Sequence, residues 1–191
     1  MATQILNPSS IVFQANWSSG GSNASELDKD NTAVSWTGNF GAQAKFILQL
    51  DDFDNTGVAS IDAVQLTTVA YLANTRIGTI TAKTILENSS GTALYTEDIT
   101  ITINGAAFAT YNGTSRTTSD GSSAWTDSDI DDLRLAIIYA TPPGNAVVPQ
   151  AYVTVTYTQA GYGSDIVGVQ SSNISKVIGV ETADISKVID V

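Results

Sequence analysis

The sequence predicts an all-β protein, an antiparallel β-sandwich over residues 1–158 that carries a short C-terminal repeat segment. Several central runs alternate apolar with Thr-rich polar positions, the signature of strands with one face buried. Turn-forming clusters, "NTRIG", "NSSG", "NGA", "YNGTS" and "SDGSS", separate the runs at the spacing of a meander rather than of βαβ units. Beyond "QAYVTVTYT" the texture changes to the Gly-rich "QAGYGSD", which marks residues 159–165 as a linker and 166–191 as a separate segment.

In chain order, "IDAVQLTTVAYL" from Ile61 to Leu72 places Val64, Leu66, Ala70 and Leu72 on one parity and Val69 and Tyr71 on the other. That pattern predicts a strand covered on both sides for part of its length. "ITAKTIL", Ile80 to Leu86, follows, then "ALYTEDITITI", with Ile99, Ile101 and Ile103 opposite Thr100 and Thr102. In "TDSDIDDL", Thr126 can cap a short helix whose first turn is rich in Asp. "LRLAIIYA" then predicts a strand with Leu133, Leu135, Ile137 and Tyr139 on one face. "TPPGNAVVP" reads as a turn, and "QAYVTVTYT" as a strand with Ala151, Val153, Val155 and Tyr157 inward.

Composition removes several functions. Eight basic against nineteen acidic residues give a net charge of -11, so a phosphate backbone would be repelled and no nucleic-acid partner is expected. Without Cys or His there is no disulfide, no thiolate and neither the commonest general base nor the commonest zinc ligand. The opening "MATQILNPSSIVFQ" has no basic region before a long apolar run, and no stretch approaches the roughly 18 apolar residues of a membrane span, so neither a secretion signal nor membrane insertion is expected.

Four groups of residues are candidates for chemistry. "ELDKDNTAVSW" brings Asp28, Asp30 and Thr32 together ahead of Trp36, an oxygen-only set that either holds a structural Ca²⁺ or forms a solvated, hydrogen-bonded turn. "DDFDNTG" imitates the start of an EF-hand loop, but its twelfth position from Asp52 is Ala63 rather than Glu, so it is expected to be an Asx turn between strands. Asp127, Asp129, Asp131 and Asp132 could supply a glycosidase pair, yet four acids in one turn suit a helix start, and no enzyme is expected. Trp36 and Trp125 are expected in the core; Tyr111 and Tyr152 are the aromatics expected at the surface, where a glycan could stack.

The phrase Glu26 to Trp36 resembles the acidic loop near the start of galactose-binding-like jelly rolls, including discoidin-type domains and carbohydrate-binding modules. The resemblance implies a jelly-roll sandwich with a structural Ca²⁺ at Asp28, Asp30 and Thr32.

The tail repeats itself. "ISKVI" occurs at Ile174–Ile178 and again eleven residues later at Ile185–Ile189, and the apolar set is Ile174, Val177, Ile178, Val180, Ile185, Val188, Ile189 and Val191. An eleven-residue period suits a helix in a right-handed supercoil, but β-branched residues and Gly179 argue for short extended segments. One copy buries too little to order itself, so the repeat is expected to be an assembly or docking element.

Three features together resemble the virion structural proteins of tailed bacteriophages: the opening "MATQILNPSS...NWSS...LDKDNTAVSW", the closing "WTDSDIDDLRLAIIYA...VPQAYVTVTY" and the "ISKVIGV" phrases. The resemblance implies a non-enzymatic sandwich on the virion surface, a capsid decoration or head fibre first and a tail or baseplate component next. It further implies a homotrimer or larger assembly with other virion proteins as partners, possible contact with surface glycans, and assembly in the host bacterial cytoplasm. No cofactor other than a possible Ca²⁺ is expected.

Overall fold

The structure is a computed structural model that describes residues 1–15, 17–19, 36–39, 45–72, 79–102, 109–141, 145–160, 176–177 and 180–181. Two antiparallel sheets enclose one core, as the alternation predicts. The first contains β1 (Ala2–Leu6), β3 (Trp17–Ser19), β4 (Trp36–Asn39), β6 (Val58–Leu72), β9 (Ala109–Asn112) and β11 (Asn145–Gln159). Its order is β3-β4-β11-β6-β9, with β1 on the same edge of β11 as β4 but farther along it. The second sheet runs β2-β5-β10-β7-β8, from β2 (Pro8–Ala15), β5 (Lys45–Leu50), β7 (Thr79–Glu87), β8 (Ala93–Thr102) and β10 (Arg134–Thr141).

The inward parity of β11, Ala151, Val153 and Val155, is fully buried, and it meets Phe46, Leu48, Leu135 and Ile137 from the opposite sheet in one core cluster. On β6 both parities are buried, Val64, Leu66, Thr68 and Ala70 toward the core and Thr67 and Val69 away from it, so this strand is covered on two sides as its sequence indicates. Chain crossings between the sheets are pinned by polar groups. After β1, the Asn7 carbonyl accepts from the Asp51 amide at 2.8 Å. "DDFDNTG" is the expected turn: Asp54 Oδ1 accepts from the Thr56 amide at 3.0 Å, and Gly57 takes φ 68°, where a side chain would be strained.

The predicted helix is α1 (Asp127–Asp131), with Thr126 and Asp129 forming a capping box and Ile130 buried. It delivers Leu133 into the core at the start of β10.

Three expectations need correction. "TPPGNAVVP" is not wholly a turn, because β11 begins at Asn145 and passes through Pro149. The register with β6 shifts between Val147 and Gln150, a local irregularity at which a strand tolerates a residue without N–H. "YNGTS" likewise begins as strand, Tyr111 and Asn112 closing β9. At the other end β11 reaches Gln159, and the Ala160 amide bonds to the Gly57 carbonyl at 2.7 Å, so the sandwich extends two residues past 158.

Of the tail, the described residues form a small antiparallel ladder, β12 (Lys176–Val177) with β13 (Val180–Glu181), Val177 opposite Val180 and Lys176 opposite Glu181. The first repeat is therefore extended where it is described. Ile174, Ile178, Ile185, Val188, Ile189 and Val191 lie outside the described residues, as do Asp28, Asp30 and Thr32.

Candidate functional site

The two tyrosines singled out for glycan contact lie on opposite faces of one sheet. Tyr111 of β9 pairs with Thr68 of β6, and Thr68 pairs with Ala151, all on the inward face. Tyr111 is half-buried and packs against the core cluster, so its expected exposure is corrected: the parity of β9 turns it inward. Tyr152 pairs with Thr67 on the outward face and is also half-buried there. Around it the register sets Gln65 and Thr154 in one cross-strand row and Thr67 and Asn112 in the next. Thr67 Oγ1 bonds to Asn112 Oδ1 at 3.1 Å, and Gln65 Nε2 donates to the Gly113 carbonyl at 2.8 Å. Thr67 is buried, so beside Tyr152 the exposed or part-exposed members are Gln65, Thr154 and Asn112, which carry amide and hydroxyl groups and no charge.

A second polar centre, which sequence reading does not reveal, sits where the sheets open at β8 and β9. Leu66, Thr84, Leu86, Tyr95, Glu97 and Arg116 line a recess of about 10 Å³. That is space for about one water and not for a sugar ring. Glu97 accepts from the Thr114 amide at 2.8 Å and from the Arg116 guanidinium at 2.5 Å. Burial alone would raise the Glu97 carboxyl, but the Thr114 amide and Arg116 outweigh it and hold the group below its ordinary value. Arg116 also lies over the Tyr95 ring at 4.6 Å, and the Trp125 indole donates to the Arg116 carbonyl at 2.9 Å. Trp125 is buried, as expected.

This centre is a clamp on the segment from Gly113 to Trp125. Arg116 exchanges backbone bonds with Val64 at 2.8 and 2.9 Å, and the Tyr95 hydroxyl bonds to the Thr118 carbonyl and accepts from the Gly121 amide at 3.1 Å. Within the segment Asp120 accepts from the Ser123 and Ser122 amides, which hold its carboxyl well below the usual carboxylate range.

The acidic helical turn has structural work. Asp131 Oδ1 accepts from the Phe53 amide at 2.9 Å, Asp129 completes the capping box, and Asp127 accepts from the Asn55 side chain at 2.9 Å. Asp132 accepts from the Ser89 amide at 3.3 Å. Each of the four therefore anchors a neighbouring loop or the helix itself. Among the described residues no three His, Cys, Asp or Glu side chains stand together as a metal site, and no helix is long and apolar enough to cross a membrane.

No protein-family model and no curated protein matches the chain. Among solved structures, an exo-β-agarase is similar over 84% of this chain and 27% of its own, at 10% identity and TM-score 0.47. The C-terminal family 22 carbohydrate-binding module of Clostridium thermocellum Xyn10B is similar over 82% of this chain and 96% of its own, at 15% identity and TM-score 0.40. The enzymatically active domain of bacteriophage CBA120 tailspike protein 4 is similar over 81% and 19%, at 14% identity and TM-score 0.42. The chain thus spans about a fifth of the tailspike domain and about a quarter of the agarase. Likenesses this distant assign it neither ligand nor activity.

Proposed function

We propose that this chain is a non-enzymatic structural protein of a tailed-phage particle, a surface component such as a capsid decoration or head fibre, with a tail or baseplate position as the next choice. Its sandwich is the displayed body, and its C-terminal repeat joins copies into a homotrimer or larger assembly beside other virion proteins. The observation that carries this reading is the ladder in the first repeat, two residues per strand, with Val177 opposite Val180. A ladder so short is not stable alone in water and calls for a further surface. The non-enzymatic part is supported by the bonds of Asp127, Asp129, Asp131 and Asp132, which spend these carboxylates on backbone and side-chain anchoring.

The test is the solution mass of the full chain and of a Val188→Asp variant, by light scattering after size exclusion. A trimer or larger assembly that falls to folded monomer in the variant supports the reading, and a monomeric full chain sinks it.

The outward position of Tyr152 beside Gln65, Thr154 and Asn112 favours a second reading, a carbohydrate-binding surface. Retention of the full chain on a neutral polysaccharide, lost in Tyr152→Ala, would support it. Equal retention of both would remove it.

A further inference from the structure

The sequence holds two Asn-Gly pairs, Asn104–Gly105 and Asn112–Gly113, and the second lies among the described residues at the end of β9. An asparagine followed by glycine is chemically labile. With no Cβ to restrict it, the glycine backbone can turn its nitrogen onto the asparagine Cγ and close a cyclic imide. Packing imposes this glycine. A Cβ at position 113 would come within 2.6 Å of Glu97 Oε2 and 3.2 Å of the Leu66 carbonyl, so the reactive pair is a by-product of how closely the clamp is built.

The same contacts hold the reaction back. The Gly113 N–H donates to the Leu66 carbonyl at 2.8 Å, which occupies the attacking nitrogen. The next amide, that of Thr114, donates to Glu97 at 2.8 Å, and Arg116 exchanges two backbone bonds with Val64, so the chain beyond Gly113 is fixed. On the other side Asn112 closes an extended strand opposite Thr67, and its Oδ1 accepts from Thr67 Oγ1 at 3.1 Å. In extended backbone the side chain stands out of the plane in which the neighbouring N–H groups point, so Cγ and the Gly113 nitrogen are kept apart. Asn112 is nevertheless exposed, and water reaches it.

We propose that Asn112 is a self-modification site gated by the Glu97–Arg116 clamp, reacting only in the fraction of time that Gly113 leaves Leu66. In the opened segment the deprotonated Gly113 nitrogen bonds to Asn112 Cγ, the Cγ–Nδ2 bond breaks, and Nδ2 departs as ammonia. Water then adds to one of the two imide carbonyls and breaks its bond to nitrogen. Cleavage at Cγ leaves an ordinary aspartyl residue; cleavage at the main-chain carbonyl leaves an isoaspartyl residue, whose chain runs through Cβ and Cγ. One water is consumed and one ammonia released, and no oxidant or cofactor takes part. Both products put a negative charge on a strand that has none, "ATYN". The isoaspartyl link also lengthens the main chain by one atom between Tyr111 and Gly113, so the register with β6 cannot be restored. The clamp, once opened in this way, stays loosened.

The chemistry is slow beside local opening and closing, so the folded rate is the intrinsic rate multiplied by the open fraction. The experiment follows the full chain at one pH and temperature, folded and in denaturing urea, and quantifies the deamidated peptide that spans Asn112 by mass spectrometry. The folded chain is expected to react at least about tenfold more slowly, by the same factor that protects the Gly113 amide from hydrogen exchange, because one opening frees both. Glu97→Gln, with unaltered far-UV circular dichroism as the control for folding, is expected to speed the folded reaction about five- to thirtyfold and to leave the denatured rate unchanged. Equal rates in the folded and denatured wild-type chain overturn the gate, and so does a folded Glu97→Gln protein that reacts no faster than wild type. The exchange comparison needs no variant and decides the matter where Glu97→Gln disturbs the fold. A Gly113 amide protected far more strongly than Asn112 is slowed would mean that the imide closes without this opening, which also overturns the proposal.

Discussion

The carboxylate of Glu97 meets the guanidinium of Arg116 at 2.5 Å, and through this pair β8 of one sheet holds the segment that follows β9 of the other. The pair and Tyr95 line one recess, with Arg116 lying over the Tyr95 ring, so the clamp is electrostatic and aromatic at once. Replacement of Glu97 by Gln keeps the shape and removes the charge. It is expected to cost about 1–2 kcal/mol at neutral pH, since both groups are partly exposed. Urea denaturation of the two proteins measures the difference.

Acid should act on the same contact. The folded Glu97 carboxyl lies below its ordinary value, so its contribution is complete above about 4.3 and disappears as the pH falls through the folded-state value. Wild-type stability is therefore expected to decline between pH 5 and pH 3 more steeply than that of Glu97→Gln. Asp54 and Asp120 are lowered too, but they contribute equally to the slope of both proteins and leave the difference to Glu97. Parallel slopes would remove Glu97 from the account.

Gly113 stands where a Cβ would come within 2.6 Å of Glu97 Oε2 and 3.2 Å of the Leu66 carbonyl. Gly113→Ala should push the carboxylate off the Thr114 amide and destabilise the fold by about 1–3 kcal/mol. Combined with Glu97→Gln, the two losses should add to less than their sum, because both break one contact. Full additivity would separate them.

Trp125 is nearly buried and bonds to the Arg116 carbonyl. Truncation to Ala should cost about 3–5 kcal/mol. Trp125→Phe should cost distinctly less, since the carbonyl keeps its bond from the Val64 amide. Thermal denaturation of both variants distinguishes the packing loss from the hydrogen-bond loss.

Tyr111 and Tyr152 should part company under mutation. Tyr111→Ala removes a side chain packed on the core and should destabilise by about 2–4 kcal/mol. Tyr152→Ala, on the outward face, should cost less than half as much. Denaturant midpoints with unchanged slopes give the comparison, and equal losses would contradict the assignment of faces.

That contrast marks how far the sequence could be read. Within β11 the alternation of Ala151, Val153 and Val155 with Tyr152, Thr154 and Thr156 reports its inward face without any structure. Between strands, parity has no common origin until the register is known, so Tyr111 could not be placed relative to Tyr152. Thr126 and its Asp-rich turn were legible because capping is local. Glu97 and Arg116 were not, because their meeting depends on how two sheets pack. Strands β1 and β2 also escaped pattern reading: β1 is short, and two register shifts against β5 break the alternation of β2.

The register of β1 has a mechanical consequence. Ala2 lies opposite Tyr157, so the first strand begins beside the place where the last strand of the sandwich leaves for the tail. Tension applied to those two points would open the β1–β11 ladder like a zipper, one bond at a time and at low force. Tension between the tail and the far end of the sandwich would instead load the β11–β6 ladder in shear, with many bonds sharing the force. If the tail is the tether, the body resists drag best when held by the tail alone, with residue 1 unattached.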